Sequence, residues 1–66
     1  KSKYKYVYKS KFSGKYYWEG QVSRKSKLFP FTDDGERSAA KWADMRLIND
    51  GREPVNVLKK QPRNVH

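Results

Sequence analysis

The sequence has no cysteine, and its single histidine is the last residue, His66. Without cysteine, neither a disulfide framework nor a thiolate zinc site can form. We interpret His66 as a solvated terminal residue rather than a metal ligand or a general base. The sequence also contains no carboxylate pair in an apolar setting and no phosphate-binding loop. We therefore expect a protein that is not an enzyme and that needs no metal and no cofactor.

Long apolar runs are also missing. No stretch approaches the length that crosses a bilayer, and no signal-peptide core is present. We therefore expect no membrane partner and no secretion. The chain starts at Lys1 rather than at a methionine, which predicts a domain excised from a longer protein. Its 66 residues are enough for one small domain with a thin core.

Acidic residues are scarce in the first half of the chain. Residues 1–31 hold nine Lys and Arg against one acid, Glu19, so their balance is +8. Residues 32–66 hold seven against six, a balance of +1, and the whole chain carries a formal charge of +9. Solubility does not require such segregation. A basic surface confined to one side is typical of proteins that bind polyanions.

Two segments of the basic half alternate aromatic or β-branched residues with polar or charged ones. This pattern predicts strands at residues 3–9 and 16–23, joined by a turn in which Gly14 can adopt positive φ. Trp18 and Val22 of the second strand point inward, and Val7 of the first completes a small apolar patch. The opposite faces of the two strands carry Tyr4, Tyr6, Tyr8, Tyr17, Glu19, Gln21 and Ser23.

A third strand is predicted at residues 28–32, after a strongly basic turn. Pro30 indicates an edge strand or a bulge, because proline cannot donate to a neighbouring strand. Strict alternation would turn Phe29 and Phe31 inward. A bulge at this proline would instead turn Leu28 and Phe31 inward, and we favour the bulge.

Residues 34–49 have the periodicity of an amphipathic helix. Asp33 and Glu36 have capping-box spacing, and the acids of this turn suit a helix N-terminus. Trp42 lies on the flank of the buried stripe. That stripe comprises Ala39, Ala40, Ala43 and Leu47, and the residues predicted to face away are Lys41, Asp44 and Met45.

Small residues on the stripe predict that the helix lies low on the sheet, against Gly20 and Val22. Gly51 can end the helix in the left-handed conformation. Residues 50–66 then form a C-terminal extension, in which we expect residues 61–66 to be a frayed tail. The residues of this extension expected to pack on the fold are Val55, Val57 and Leu58.

The predicted fold class is therefore α+β: a three-stranded antiparallel sheet packed on one C-terminal α-helix, forming a single domain over residues 1–66. In this order of elements, and in several motifs between about Lys5 and Leu58, the chain resembles the Apetala or ethylene-response-factor (ERF) type of DNA-binding domain. The motifs are Lys5-Tyr6-Val7-Tyr8, Gly14-Lys15, Trp18-Glu19-Gly20-Gln21-Val22, Leu28 with Phe31, Ala39-Ala40, and Gly51 through Val55-Asn56-Val57-Leu58.

Some residues depart from the plant members of that family. Tyr6 and Tyr8 stand where the family places Gly and Arg, and Gln21 and Ser23 stand where it places Glu and Arg. The chain is thus more similar to the divergent domains of apicomplexan parasites, other protists and phages. The resemblance implies the DNA-binding part of a transcription regulator, nuclear if its source is eukaryotic and cytoplasmic otherwise.

Such a sheet can lay its exposed face into the major groove of double-stranded DNA. We expect a sequence-preferring duplex binder with no small-molecule substrate, and nothing in the sequence indicates a dimer. The residues expected to contact bases are Tyr6, Tyr8, Tyr17, Glu19, Gln21 and Ser23. The residues expected to contact phosphates are Lys5, Lys9, Lys11, Lys15, Arg24, Lys25 and Lys27.

Two other classes of function stay open. In the first, the tyrosines form an aromatic cage for a methylated lysine of a chromatin peptide, although a basic face repels basic tails. The cage would draw on Tyr4, Tyr6, Tyr8 or Tyr17. In the second, exposed aromatic rings stack the unpaired bases of a single-stranded RNA.

Overall fold

Three antiparallel strands are followed by one α-helix in the computed structural model, which describes residues 2–58. The strands are β1 (Val7–Phe12), β2 (Lys15–Val22) and β3 (Lys25–Pro30), and the helix α1 spans Asp33–Asn49. β2 lies in the middle and pairs with both neighbours. Because α1 packs on one face of this sheet, the predicted α+β fold is confirmed.

Two-residue turns set the register of the sheet. These turns are Ser13-Gly14 and Ser23-Arg24, and all four residues have positive φ, from 52° to 80°. This is the backbone of the tight turns that match the twist of a hairpin. Gly14 favours that conformation, but neither residue of the second turn does. The sequence therefore predicted the first turn, but it placed the second at residues 24–27 and began β3 three residues too late.

β1 begins at Val7, four residues later than predicted. The preceding residue, Tyr6, has a φ of 65°, so the extended conformation is interrupted there. Tyr4 and Tyr6 are partly buried and pack against the core, whereas Tyr8 points to the opposite face. The prediction that these three tyrosines form one row was therefore wrong.

The core consists of two small clusters between the sheet and α1. Their members each expose 2% of their surface or less. Trp18, Phe29 and Val57 pack against the first cluster, and Trp42 packs against the second. The clusters are Val7 with Ala39 and Ala40, and Val22 with Ala43 and Leu47. The predicted alanine and leucine stripe of the helix is thus confirmed.

α1 lies close to the sheet at two glycines. A Cβ on Gly20 would sit 2.7 Å from Cε3 of Trp42 and 3.1 Å from the carbonyl oxygen of Ala39. A Cβ on Gly35 would sit 1.8 Å from the carbonyl oxygen of Pro30, at the end of β3. At both places only a residue without a side chain leaves room for the neighbouring group.

The first turn of α1 is capped by Thr32, whose Oγ1 accepts a hydrogen bond from the Gly35 N–H at 2.9 Å. A threonine with extended backbone suits this position. The predicted capping box of Asp33 and Glu36 was therefore wrong by one residue. Glu36 is buried and accepts a 2.6 Å hydrogen bond from the hydroxyl of Ser2.

α1 ends as predicted, with Gly51 in the left-handed conformation at a φ of 80°. The Gly51 N–H donates to the carbonyl of Ile48 at 3.0 Å, and the Arg52 N–H donates to that of Leu47 at 2.8 Å. This pair of bonds is the Schellman motif. It turns the chain back along the helix.

β3 follows strict alternation rather than the bulge that we favoured. Phe29 pairs with Trp18 and packs against the core, while Leu28 pairs with Glu19 and is 40% exposed on the opposite face. Phe31 follows the strand, and its ring stacks on that of Trp18 with centroids 4.7 Å apart. Leu28 is therefore not the inward residue that the predicted bulge would have made it.

Asp44 does not face away as predicted, because its side chain is completely buried. Its carboxylate accepts hydrogen bonds of 2.6 to 3.3 Å from four consecutive backbone N–H groups. The donors are those of Val55, Asn56, Val57 and Leu58. One carboxylate thus anchors the returning segment to the helix.

The returning segment also binds the start of the chain. The side-chain amide of Asn56 accepts from the N–H of Lys5 at 2.7 Å and donates to its carbonyl at 2.8 Å. Val57 and Leu58 are half-buried as expected, but Val55 remains 47% exposed. The predicted frayed tail lies outside the described residues.

We expect Gly35→Ala to destabilise the fold, although alanine normally favours a helix over glycine. The added methyl group would collide with backbone that no side-chain rotation can move, at a cost of at least about 2 kcal/mol. For a domain of this size, that lowers Tm by roughly 10 °C. Thermal unfolding followed by circular dichroism measures it, with exposed Ser38→Ala as the control. An unchanged or raised Tm would contradict the close contact with Pro30.

We also expect Asp44→Ala to lower the free energy of unfolding by about 3 kcal/mol, because four backbone N–H donors lose their charged, buried acceptor. Asp44→Asn keeps one acceptor oxygen and should have an intermediate effect. Urea titration measures both. The control is Asp34→Ala, which removes an exposed carboxylate of the first helical turn and should cost about 0.5 kcal/mol. Equal effects of Asp34→Ala and Asp44→Ala would be the contrary result.

Candidate nucleic-acid interface

The sheet face opposite α1, called the outer face below, is open to solvent. Its side chains alternate along each strand with the residues that pack on the core. Tyr8 and Phe12 are 46% and 61% exposed. The face comprises Tyr8, Ser10 and Phe12 of β1, Lys15, Tyr17, Glu19 and Gln21 of β2, and Ser26, Leu28 and Pro30 of β3.

The strand register arranges these side chains in rows across the sheet. The central row is Tyr8, Glu19 and Leu28. The rows on either side of it are Ser10, Tyr17 and Pro30, and Gln21 with Ser26. Because neighbouring strands lie about 4.8 Å apart, a row of three spans about 10 Å. Hydrogen-bonding groups and aromatic rings are thus concentrated on a narrow ribbon.

Four of the six residues predicted to contact bases lie on the outer face. They are Tyr8, Tyr17, Glu19 and Gln21. The alternation of β2 that the sequence showed is therefore confirmed for these positions. The other two were predicted from the same alternation, extended beyond the ends of the strands.

Tyr6 and Ser23 are held at the helix C-terminus instead. The Tyr6 hydroxyl accepts a 2.9 Å hydrogen bond from Nη2 of Arg52, whose guanidinium also lies 5.8 Å from the tyrosine ring centroid. The Ser23 hydroxyl donates to Oδ2 of Asp50 at 2.6 Å. Placing these two residues on the same face as Gln21 was therefore wrong, because both lie outside the strands.

Sequence reasoning missed several members of the outer face. The predicted β1 ended at residue 9 and so did not include Ser10, while Phe12 was assigned to the first turn and Ser26 to the second. Leu28 had been predicted to face inward because a bulge was expected at Pro30. The signal that could have found Ser10 and Phe12 is the two-residue turn Ser13-Gly14, because it fixes which residues of β1 and β2 face each other.

The seven cations predicted to contact phosphates are all exposed, but they do not share one face. Lys15 belongs to the outer face, Lys5 precedes β1, and Arg24 lies in the second turn. The other four extend from the helix-facing side of the two edge strands, and so they follow both edges of the sheet. They are Lys9 and Lys11 of β1 and Lys25 and Lys27 of β3.

An aromatic cluster lies beside the edge formed by β1, on the helix-facing side. Phe31 stacks on Trp18, and its ring centroid is 5.7 Å from that of Tyr16. Nζ of Lys9 lies 4.5 Å from the centroid of Tyr16 and 5.6 Å from that of Phe31. Nζ of Lys11 lies 5.6 Å from the Tyr16 centroid. The ammonium groups of Lys9 and Lys11 therefore lie against the rings of this cluster.

Most acids of the described chain lie on the helix side. Glu36 and Asp44 are buried with hydrogen-bond donors, and Asp50 is bound to Ser23. Glu19 is the one acid on the outer face. Within residues 2–58, no helix is both long and apolar enough to span a membrane, and no acidic or histidine side chains group into a metal site.

Comparison with known proteins finds no match: no family model, no curated protein and no solved structure matches the chain. The resemblance to the Apetala or ERF type of domain therefore stays a prediction. It rests on the order of the elements and on the residues named above.

Proposed function

We propose that this chain is a sequence-preferring DNA-binding domain of a transcription regulator, and that its outer face reads the major groove of double-stranded DNA. The observation that carries the proposal is the combination of an uncovered, polar and aromatic sheet face with exposed lysines along both edges. The resemblance to the Apetala or ERF type of domain points to the same mode of binding.

The dimensions of the outer face fit a major groove. The groove is about 12 Å wide and admits a β-ribbon, and a row of three side chains on this sheet spans about 10 Å. β2 would then follow the groove with Tyr17, Glu19 and Gln21 pointing towards the base edges. α1 would support the sheet from behind without contacting DNA.

The cations would supply most of the affinity. Lysines at the two edges of the sheet face the phosphates on either side of a groove that the sheet enters, and binding would release their counterions. The acids of the helix side would lie away from the phosphates. This arrangement accounts for the charge balance of +8 in residues 1–31 against +1 in the rest of the chain.

The central strand would supply the sequence preference. The amide of Gln21 can bond to N6 and N7 of adenine, and the carboxylate of Glu19 can accept from N4 of cytosine. Tyr8 and Tyr17 can donate hydrogen bonds or pack against thymine methyl groups. Phosphate contacts alone would give no such preference, because every duplex carries the same backbone.

The chromatin-peptide alternative has less support from the geometry. The rings that cluster are Tyr16, Trp18 and Phe31, and Lys9 already lies against two of them. Tyr4 and Tyr6, which were candidates for a cage, pack against the core. Single-stranded RNA, which exposed Tyr8 and Phe12 can stack, is tested as a competitor below.

The experiment that tests the proposal is selection of bound duplexes from a randomised pool at near-physiological salt. We expect a short enriched motif, and we expect Gln21→Ala to lose preference at one position of it by about 1–3 kcal/mol. Asn49→Ala removes an exposed amide from the helix and is the control. No enrichment, or tighter binding of single-stranded RNA than of any duplex, would refute duplex reading.

Lys25→Ala should weaken the selected and the random duplex to a similar degree, because this side chain meets only phosphate. The slope of log K against log salt should fall by about one. Lys41→Ala removes the same charge from the exposed side of α1 and should leave the slope unchanged. Titrations at several salt concentrations measure both variants. A Lys25→Ala slope equal to that of the unmodified protein would place Lys25 outside the contact surface.

A further inference from the structure

A carboxylate lies between two exposed apolar side chains at the centre of the outer face. Glu19 is directly opposite Tyr8 on one side and Leu28 on the other. Tyr8 is 46% exposed and Leu28 is 40% exposed. Side chains directly opposite each other have Cβ atoms about 5 Å apart, so the three groups form one continuous contact surface.

An acid at this position needs a specific partner if the face meets DNA. A carboxylate accepts hydrogen bonds but cannot donate them, and phosphates repel it. In the major groove, only the N4 amino group of cytosine and the N6 amino group of adenine can donate to it. Guanine and thymine present acceptor atoms there, which would repel the carboxylate.

The neighbours of Glu19 favour cytosine over adenine. With the edge beside the amino group placed on the Leu28 side of Glu19, adenine presents the acceptor N7 there, and Leu28 offers that atom nothing to bond. Cytosine carries only the C5 edge beside N4, which is apolar. A methyl group on C5 would extend that edge into the space next to Leu28.

We propose that the outer face recognises 5-methylcytosine in double-stranded DNA, with Glu19 accepting from the N4 amino group and Leu28 packing on the C5 methyl group. The inference rests on the proposed function, since it requires the outer face to enter the major groove. Thymine offers the same methyl group, but its O4 faces the carboxylate. The combination of an acceptor and an apolar neighbour therefore selects methylated cytosine and not merely a methyl group.

The test begins with two selections from randomised duplex pools, one unmodified and one with every cytosine methylated at C5. The bound motif should contain a cytosine whose methylation tightens binding about fourfold, the effect of about 0.8 kcal/mol for one buried methyl group. Thymine at that position should bind more weakly than unmodified cytosine.

Variants of the central row then show which side chains produce the effect of methylation on affinity. Leu28→Ala should reduce the ratio of methylated to unmodified affinity to below about 1.5, whereas Phe12→Ala, an exposed apolar residue outside this row, should retain it. Glu19→Gln should lose the discrimination against thymine, because its amide can donate to O4 as well as accept from N4. Circular dichroism verifies that each variant is folded.

The outcomes separate the two proposals. If no duplex is enriched in either pool, the proposed function itself fails. If a motif is enriched but no cytosine in it responds to methylation, this inference is overturned while the proposed function stands. A methylation gain that survives in Leu28→Ala would equally overturn the assignment to the central row.

Discussion

The close approach of α1 to the sheet is the constraint on which the other features of the molecule depend. Gly20 and Gly35 leave room for backbone and a tryptophan ring where any side chain would collide. The alanines of the helix keep the interface thin, so that six small or medium-sized residues form the buried hydrophobic core of residues 2–58. A chain of 66 residues has little else to bury, and it gains a core by bringing backbone close to backbone.

Because α1 packs on one side of the sheet, the side chains of the other side contribute nothing to the buried core of residues 2–58. The buried acids Glu36 and Asp44 anchor the two chain ends to the helix, and Asp50 anchors the second turn. These three carboxylates on the helix side are thus engaged in hydrogen bonds within the fold. The lysines of the three strands and Arg24 of the second turn, in contrast, are exposed. This asymmetry is the reason for proposing a polyanion as the partner.

The order of elements, the buried stripe of the helix and its C-terminal glycine could be predicted because each has a local signal. The alternation of β2 likewise placed Tyr17, Glu19 and Gln21 correctly. The start of β1 could not be predicted, because Tyr6 adopts positive φ and neither it nor its neighbours are residue types that favour this conformation. The burial of Asp44 was missed for a different reason. Its carboxylate binds four N–H groups of a later segment, and the periodicity of a helix contains no information about partners so distant in sequence.

The lysines at the sheet edges have a second physical consequence, for the behaviour of the protein at high concentration. In the described part of the chain, β1 and β3 each pair on one side only, and their free backbone groups could template another copy. Charged side chains on an edge strand oppose such pairing, as does Pro30, which has no N–H to offer. Edge-to-edge aggregation of this small sheet is therefore opposed by four lysines, whatever they bind: Lys9, Lys11, Lys25 and Lys27.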